Sequence, residues 1–332
     1  MKALVYTGPE KLEIRSVPDP VPEADELLVK VEAVGICGSD MHAYLGHDDR
    51  RPAPLILGHE VAGTVVGGVG PVGRQVTINP LVTCGACPSC LDGRANLCPE
   101  RQIISMPPRE GGFAELVKIP ERNAVTVPDA IPMEKAALAE PLACGWHAVG
   151  LAERALVRSL AECRALVLGG GAIGLGAALV LATRGTMEVW IAETNPERRA
   201  IVSKAGDFRV FDPGAESGPD FGSLDLVVDA VGFEATRAAA SAFVKPGGVI
   251  MHIGLGSAAG GLDVRRMTLQ EITFIGTYTY TPIDFHATAD AIFSGRLGPL
   301  DWLEERSLSE GGTAFSEIKA GRVAAPKTIL RP

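Results

Sequence analysis

The stretch Leu166-Val-Leu-Gly-Gly-Gly-Ala-Ile-Gly-Leu-Gly-Ala-Ala-Leu-Val-Leu-Ala182 decides the fold of this chain. A short apolar run that favours a β-strand meets a cluster of glycines, and apolar residues then recur near helical spacing. The stretch therefore predicts a strand, a tight turn and a helix. Gly169, Gly171 and Gly174 fit the pattern G-x-G-x-x-G. These glycines allow the turn, the approach of backbone N–H groups to a pyrophosphate, and close packing of the helix on the strand.

An acidic residue after the next predicted strand supports a dinucleotide site. The run Val189-Trp-Ile-Ala192 ends in Glu193, at about the 20-residue distance where an acid binds the ribose hydroxyls of a dinucleotide. A carboxylate there repels a 2′-phosphate, so NAD is favoured over NADP. The alternative is a membrane span, because residues 165–183 carry no charge and are nearly long enough to cross a bilayer. The clustered glycines and the downstream acid favour the nucleotide site.

Composition bounds the remaining possibilities. The 332 residues are 46% hydrophobic, which predicts two domains with ample core. A formal charge of −9 disfavours nucleic acid or an anionic membrane as a partner. Because no basic-then-apolar segment opens the sequence, we expect a cytoplasmic protein. In that compartment the seven cysteines are better explained by metal binding or chemistry than by disulfides.

Two short motifs in the β-rich first part of the chain supply metal-ligand types. The first is Gly35-Ile-Cys-Gly-Ser-Asp-Met-His42, and the second is Gly58-His-Glu60. A cysteine, a histidine and a carboxylate brought together by the fold are the ligands of a zinc site that keeps one position open. The alternative is a buried thiol with a hydrogen-bonded histidine.

A second possible metal site lies further along the chain. Cys84, Cys87 and Cys90 follow one another at two-residue gaps, and Cys98 comes eight residues later. Four such cysteines can close a tetrahedral thiolate site, so the pattern predicts a structural zinc. An iron–sulfur cluster uses similar spacing and is the competing interpretation.

Taken together, these motifs resemble a known family. The two short motifs, the four cysteines, Gly111-Gly-Phe-Ala-Glu115 and the glycine turn occur in the order typical of zinc-dependent medium-chain alcohol dehydrogenases, over essentially the whole chain. The resemblance implies an α/β protein with a GroES-like β-rich catalytic domain at residues 1–138 and 275–332. It also implies a doubly wound Rossmann NAD-binding domain at residues 139–274.

Within that family the sequence looks most like the polyol branch, which includes sorbitol, L-idonate, galactitol-phosphate, butanediol and threonine dehydrogenases. The evidence is Ala139-Glu-Pro-Leu-Ala-Cys-Gly-Trp-His147, because Glu140 stands where ethanol-type members carry a cysteine ligand. The resemblance implies NAD-dependent oxidation of a secondary alcohol in a polyol, sugar alcohol or sugar acid. Threonine, butanediol or another simple secondary alcohol is the alternative substrate. A zinc-free reductase and a non-enzymatic zinc and nucleotide-binding protein are more distant alternatives.

The resemblance also assigns roles to residues. It implies a catalytic zinc held by Cys37 and His59, with Glu60 and Glu140 bound directly or through water. Asp40 would orient His59, Ser39 would accept the substrate proton, and His42 would pass it to solvent. The implied cofactor residues are Gly169, Gly171, Ile173, Gly174, Glu193, Arg198, Val231, Ile253 and Leu255, and the implied substrate residues are Tyr44 and Tyr280. The implied bound groups are NAD and two zinc ions per chain, in a homodimer or homotetramer.

Overall fold

The computed structural model describes residues 1–215 and 218–332, which form eighteen strands and ten α-helices. The strands are β1 (Lys2–Gly8), β2 (Lys11–Ser16), β3 (Glu26–Gly35), β4 (Leu55–Ile56), β5 (Glu60–Gly68), β6 (Gln75–Ile78), β7 (Leu81–Val82), β8 (Gln102–Ile103), β9 (Leu116–Pro120), β10 (Ala124–Thr126), β11 (Arg164–Leu168), β12 (Glu188–Ala192), β13 (Arg209–Phe211), β14 (Leu224–Asp229), β15 (Val244–His252), β16 (Thr273–Gly276), β17 (Leu303–Ser307) and β18 (Lys327–Arg331). The α-helices are α1 (Gly38–Tyr44), α2 (Pro88–Leu91), α3 (Met133–Ala136), α4 (Ala139–Ala155), α5 (Ala172–Thr183), α6 (Pro196–Val202), α7 (Glu234–Phe243), α8 (Val264–Leu269), α9 (Pro282–Phe293) and α10 (Gly311–Lys319).

The glycine-rich stretch forms the predicted strand, turn and helix. It becomes β11 and α5, and β11 lies inside a parallel sheet of order β13-β12-β11-β14-β15-β16. Val167 of β11 packs with residues of α4 and α5, whereas its neighbour Leu166 packs on the opposite face with Ala240 of α7. Because successive strand residues point to opposite faces, helices cover the sheet on both sides. The doubly wound fold predicted for this part is confirmed.

The other part of the chain is a β-rich unit. Its main sheet has the order β10-β6-β5-β3-β18-β17, with β9 also paired to β3, and β2-β1-β4 and β7-β8 form smaller sheets. The last strand, β18, pairs with β3 from the start of the chain. The predicted boundaries after residues 138 and 274 remain predictions, although β16 crosses the second one and pairs with β15 through Gly276.

These sheets bring the predicted site residues to one region. Strand β3 ends at Gly35, two residues before Cys37, and Gly35 faces Glu60 at the start of β5. The carboxyl end of β11 leads into the glycine turn, which is where ligands bind in parallel α/β sheets. Among residues 1–215 and 218–332, no helix has the length and apolar character needed to cross a membrane.

Candidate active site

The structure brings Cys37, His59 and Glu60 together. Cys37 is the residue before α1, and the other two lie where β5 begins beside β3. One ligand atom from each residue lies within 4.8 Å of those of the other two. A thiol, an imidazole and a carboxylate at this separation form a donor set suited to zinc.

Asp40 and two serines surround the ring of His59. Asp40 is fully buried, and its carboxylate accepts hydrogen bonds from the backbone N–H of Cys37 (3.0 Å) and of Gly58 (3.2 Å). One oxygen of Asp40 lies 3.4 Å from Nδ1 of His59. Ser105 Oγ lies 3.3 Å from the same nitrogen, whereas Ser39 Oγ lies 3.5 Å from Nε2. Asp40 is therefore placed to orient the ring through Nδ1.

His59 and Asp40 change each other's pKa values. Burial opposes ionisation of both groups. The charge of Asp40, followed by that of Cys37, nevertheless raises the pKa of His59 well above its usual value. For Asp40 burial is the largest single influence, but the charge of His59, its hydrogen bond and the charge of Arg51 together outweigh it and lower the pKa of Asp40. The pocket thus favours positive charge at His59, as expected beside an anionic carboxylate.

The carboxylate of Glu60 is buried and only half paired. Oε1 accepts a hydrogen bond of 2.5 Å from Nζ of Lys327, whereas the buried Oε2 has no hydrogen-bond partner among the described residues. A buried carboxylate oxygen is costly to leave unpaired. An oxygen in this state beside a thiol and an imidazole fits a bound cation, so the residues present suit the zinc that the motifs predict.

Lys327 is a site residue that sequence reasoning missed. It is buried at the start of β18, and Nζ also donates to the carbonyl of Ile36 (2.9 Å). Burial opposes its charge most strongly, but the charges of Glu60 and Cys37 and the hydrogen bond to Glu60 together outweigh burial and raise the pKa of Lys327. A lysine opening the β-prone run Thr328-Ile-Leu330 was the available signal.

Glu140 lies next to this group rather than in it. The group within 4.8 Å comprises Cys37, His59 and Glu60, whereas the Glu140 carboxylate accepts a hydrogen bond of 2.7 Å from the hydroxyl of Tyr280. Burial, reinforced by the charge of Glu60, raises the pKa of Glu140 to about 7.

Tyr280 is held beside that carboxylate as a hydrogen-bond donor. It is fully buried. Burial and the nearby charge of Glu140 raise its pKa well above the usual value. The phenol therefore keeps its proton at neutral pH and donates a hydrogen bond to Glu140.

Arg51 and Ser105 also border the site without any motif to predict them. Arg51 is buried and donates through Nη1 to Asp48 (2.7 Å) and to the carbonyl of Ser39 (3.3 Å), and through Nε to the carbonyl of Ser105 (3.1 Å). It therefore links the backbones of the two serines that contact His59.

The four cysteines also come together, in a segment that we call the cysteine lobe (residues 84–101). Their sulfur atoms lie within 4.8 Å of one another and all four are free thiols. Backbone N–H groups of Ala86 and Cys87 point at Sγ of Cys84 and lower the pKa of Cys84 to about 6. Converging thiols with a stabilised thiolate fit a tetrahedral zinc.

The glycine turn and Cys37 line the same cleft, which has a volume of about 790 Å³. A Cβ atom added to Gly171 would meet no atom within 4 Å, whereas one added to Gly174 would lie 1.9 Å from the carbonyl oxygen of Gly169. Gly174 therefore allows the helix to approach the turn, and Gly171 leaves open space for a ligand. Of the predicted cofactor residues, the cleft is lined by Gly169, Gly171, Ile173, Gly174, Glu193, Arg198 and Val231.

The acid predicted to bind ribose is fixed at the end of β12. Glu193 accepts hydrogen bonds from the backbone N–H of Gly170 (2.9 Å) and of Asn195 (2.8 Å). Nη1 of Arg198 lies 3.9 Å from Oε2 of Glu193. The same guanidinium donates hydrogen bonds to the carbonyls of Val323 and Ala324. The glycine turn, the acid and the segment leading to β18 are thereby joined.

The other predicted residues have different surroundings. Ile253 follows β15, where its N–H donates to the carbonyl of Asp229 (2.9 Å), and Leu255 is 70% exposed. His42 is half-buried on α1. The side chain of Tyr44 is buried, and its ring lies 5.2 Å from that of Phe315 on α10. Its role as a substrate residue stays a prediction.

Comparison with known proteins identifies the family. Residues 23–129 match the alcohol dehydrogenase GroES-like domain, and residues 172–294 match the zinc-binding dehydrogenase domain. L-galactonate-5-dehydrogenase of Escherichia coli is 33% identical over 312 residues, which cover 90% of this chain and 88% of that protein. Sorbitol dehydrogenase of Bacillus subtilis is 31% identical over 297 residues, which cover 84% of this chain and 82% of that protein.

A solved structure of a similar protein has the same fold over the whole length of this chain. A protein of Sinorhizobium meliloti named as a zinc-binding dehydrogenase, solved with NADP, has a TM-score of 0.89 at 30% identity and covers 100% of this chain and 99% of its own. The family resemblance and the fold class predicted from sequence are both confirmed. The chain therefore belongs to the zinc-binding medium-chain alcohol dehydrogenases, and it is an oxidoreductase built from a GroES-like domain and a Rossmann-type nucleotide domain.

Proposed function

We propose that the protein oxidises a secondary alcohol of a polyol, sugar alcohol or sugar acid, with NAD as the hydride acceptor. The observation that carries this proposal is the position of Cys37, which belongs to the Cys37, His59 and Glu60 group and also lines the cleft of the glycine turn. Residues that would hold a metal and residues that would hold a dinucleotide therefore line one cleft.

The substrate class is supported by the relatives. Those that cover most of this chain include L-galactonate-5-dehydrogenase and sorbitol dehydrogenase, which are named for a sugar acid and a sugar alcohol. A simple secondary alcohol is the second candidate, because a probable diacetyl reductase forming (R)-acetoin, from Saccharomyces cerevisiae, is also 31% identical. A secondary alcohol carbon is common to both candidates.

When bound, zinc supplies Lewis acidity at the alcohol oxygen and NAD accepts the hydride. Cys37, His59 and Glu60 would hold the catalytic ion, with Glu140 beside them, and Cys84, Cys87, Cys90 and Cys98 would hold the structural one. Asp40 fixes the ring of His59. Ser39 takes the hydroxyl proton of the substrate, and the half-buried His42 passes it to solvent. Closing the cleft between the two domains excludes water from the reacting atoms.

The metal assignment is tested by comparing wild type with Cys37→Ser. We expect two zinc ions per chain in the wild type, measured by elemental analysis of the purified protein. The variant should retain one zinc ion, because the cysteine lobe is intact. It should lose NAD reduction, because the site at Cys37 can no longer hold its ion. The substrate panel comprises sorbitol, L-idonate, 2,3-butanediol, L-threonine and 2-propanol, followed by the absorbance of NADH. One zinc ion per chain with full activity would overturn the proposal.

The preference for NAD is assigned to Glu193. Its carboxylate lies in the cleft where a ribose would bind and would repel a 2′-phosphate. Replacing Glu193 by Gln keeps the side-chain size and removes the charge. We therefore expect the kcat/KM for NAD, divided by the kcat/KM for NADP, to fall by about tenfold or more. The reason is that the loss of one close charge is worth about 1–3 kcal/mol. Glu197→Gln, an acid two residues into α6, is the control. An unchanged ratio would show that another residue selects the cofactor.

We further expect a homodimer or homotetramer in the cytoplasm. The assembly is implied by the family resemblance, and a reducing compartment agrees with the seven free cysteines. Light scattering of the purified protein measures the mass of the assembly.

A further inference from the structure

The segment 278–281 that carries Tyr280 is held from two sides. On one side, Asn96 of the cysteine lobe donates through Nδ2 to the carbonyl of Tyr278 (2.8 Å). On the other side, Thr281 caps α9 and its Oγ1 donates to Asp284 (2.6 Å). Between these anchors lies Tyr280, whose hydroxyl reaches Glu140.

The contact on the lobe side includes a second residue. The guanidinium carbon of Arg101 lies 5.0 Å from the centre of the Tyr278 ring, and Nε is 3.4 Å from the Tyr278 hydroxyl. The same side chain donates through Nη1 to the carbonyl of Cys98 (2.9 Å). Asn96 is buried two residues before Cys98. The cysteine that completes the sulfur cluster thus lies between the two residues that hold Tyr278.

The anchor on the helix side is equally well defined. The carboxylate of Asp284 accepts hydrogen bonds from the N–H (3.1 Å) and Oγ1 of Thr281, and it lies 2.7 Å from Nδ1 of His147. His147 belongs to α4, the helix whose first turn carries Glu140. This side therefore ties the segment to the same helix as the carboxylate that Tyr280 contacts.

The backbone between the anchors is strained. Thr279 has a φ of 49°, a left-handed conformation that a β-branched residue adopts at a cost of about 1–3 kcal/mol. Such a residue stays in place only when its surroundings determine its position. Without the hydrogen bond from Asn96, Thr279 can relax and rotate the next residue, Tyr280, away from Glu140.

Resting on the function proposed above, we propose that Asn96 and Arg101 of the cysteine lobe are positioning residues that hold Tyr280 against Glu140. The lobe then supports the substrate site through side chains that touch neither substrate nor cofactor. Loss of either residue should affect use of the alcohol and leave binding of NAD unchanged, because the cleft residues at Gly171 and Glu193 belong to the other domain.

The test is a double-mutant cycle between Asn96→Ala and Tyr280→Phe. We expect each single variant to lower kcat/KM for the alcohol by about tenfold, as for loss of one buried hydrogen bond, with KM for NAD unchanged. If Asn96 acts through Tyr280, the double variant should be no worse than Tyr280→Phe alone, because the effects of coupled residues do not add. The alcohol used is the member of the panel above on which the wild type is most active.

A purely structural role for Asn96 would give a different result. The losses would then multiply in the double variant, to about a hundredfold, and that outcome would overturn the proposal. Leu91→Ala, at an exposed lobe residue, is the control and should match wild type. All variants should keep two zinc ions per chain. If Asn96→Ala loses zinc or fails to fold, the exposed Arg101→Ala is placed in the same cycle and decides the question.

Failure of the proposed function has its own signature. If the wild type, with two zinc ions bound, reduces NAD with no member of the panel, the proposed substrate class is wrong before any variant is compared. A wild type that is active, combined with multiplying losses in the cycle, leaves the function in place and excludes the positioning role.

Discussion

Gly35 determines whether the Glu60 carboxylate can occupy its position beside Cys37. A Cβ atom on Gly35 would lie 1.8 Å from Oε2 of Glu60, the oxygen that has no hydrogen-bond partner in the described part of the chain. We therefore expect Gly35→Ala to displace the carboxylate and to reduce bound zinc from two ions to one. Elemental analysis measures this loss, and the cysteine lobe should keep its ion.

The matched control is Gly67→Ala, on the same strand as Glu60. An added Cβ there would lie 3.6 Å from Leu28, an ordinary contact, so this variant should keep both ions. Two ions in Gly35→Ala would mean that the Glu60 carboxylate is not needed to hold the metal.

At the residue scale, the sequence predicted the site residues that lie within short motifs. It missed the site residues that are distant in the sequence. Cys37, Ser39 and Asp40 lie within four positions of one another, so one motif defines them. Lys327 contacts Glu60 across 267 positions, and neither residue has a pattern that points to the other. The burial of Tyr44 against Phe315 was likewise not predicted, because adjacency in the motif does not determine which face of α1 turns to the core.

At the scale of elements, α4, the helix that carries Glu140, crosses α5 at close range. A Cβ atom on Gly145 of α4 would lie 2.6 Å from the backbone nitrogen of Ala177 on α5, so the two helix backbones nearly touch. We expect Gly145→Ala to lower the free energy of unfolding by about 1–3 kcal/mol, because overpacking forces the helices apart. Thermal unfolding followed by circular dichroism measures the change.

Gly150→Ala, in the same helix, provides the comparison. An added Cβ there would meet only the end of the Arg184 side chain at 3.8 Å. Since alanine favours a helix interior over glycine by about 1 kcal/mol, this variant should be as stable as wild type or more so. Equal effects of the two substitutions would show that the close helix contact is not the cause.

The elements differ in how far the sequence could predict them. Strand β11 and helix α5 follow from one continuous stretch, because the apolar run, the glycines and the helical spacing are all local. The pairing of β18 with β3 joins the two ends of the chain, and only the family resemblance indicated it. Similarly, no local pattern predicts that Asn96 of the cysteine lobe contacts Tyr278, 182 positions away.

At the scale of the whole molecule, the cleft joins the two domains. Cys37 and Met41 line it from the GroES-like side, and Gly171 and Glu193 line it from the nucleotide side. NAD should therefore protect both sides from hydrogen exchange, because ligand binding stabilises each surface that it contacts. We expect slower exchange on binding NAD in residues 36–41 as well as in residues 169–174, measured by mass spectrometry of peptides.

AMP is the matched ligand for this experiment, because it carries the adenosine half of NAD without the nicotinamide. It should slow exchange near Glu193 and the glycine turn while leaving residues 36–41 unchanged. The difference between the two ligands then reports the part of the cleft that the nicotinamide half reaches. If NAD and AMP protect the same peptides, the nicotinamide does not approach Cys37, and hydride transfer at the proposed metal site would require a further movement of the domains.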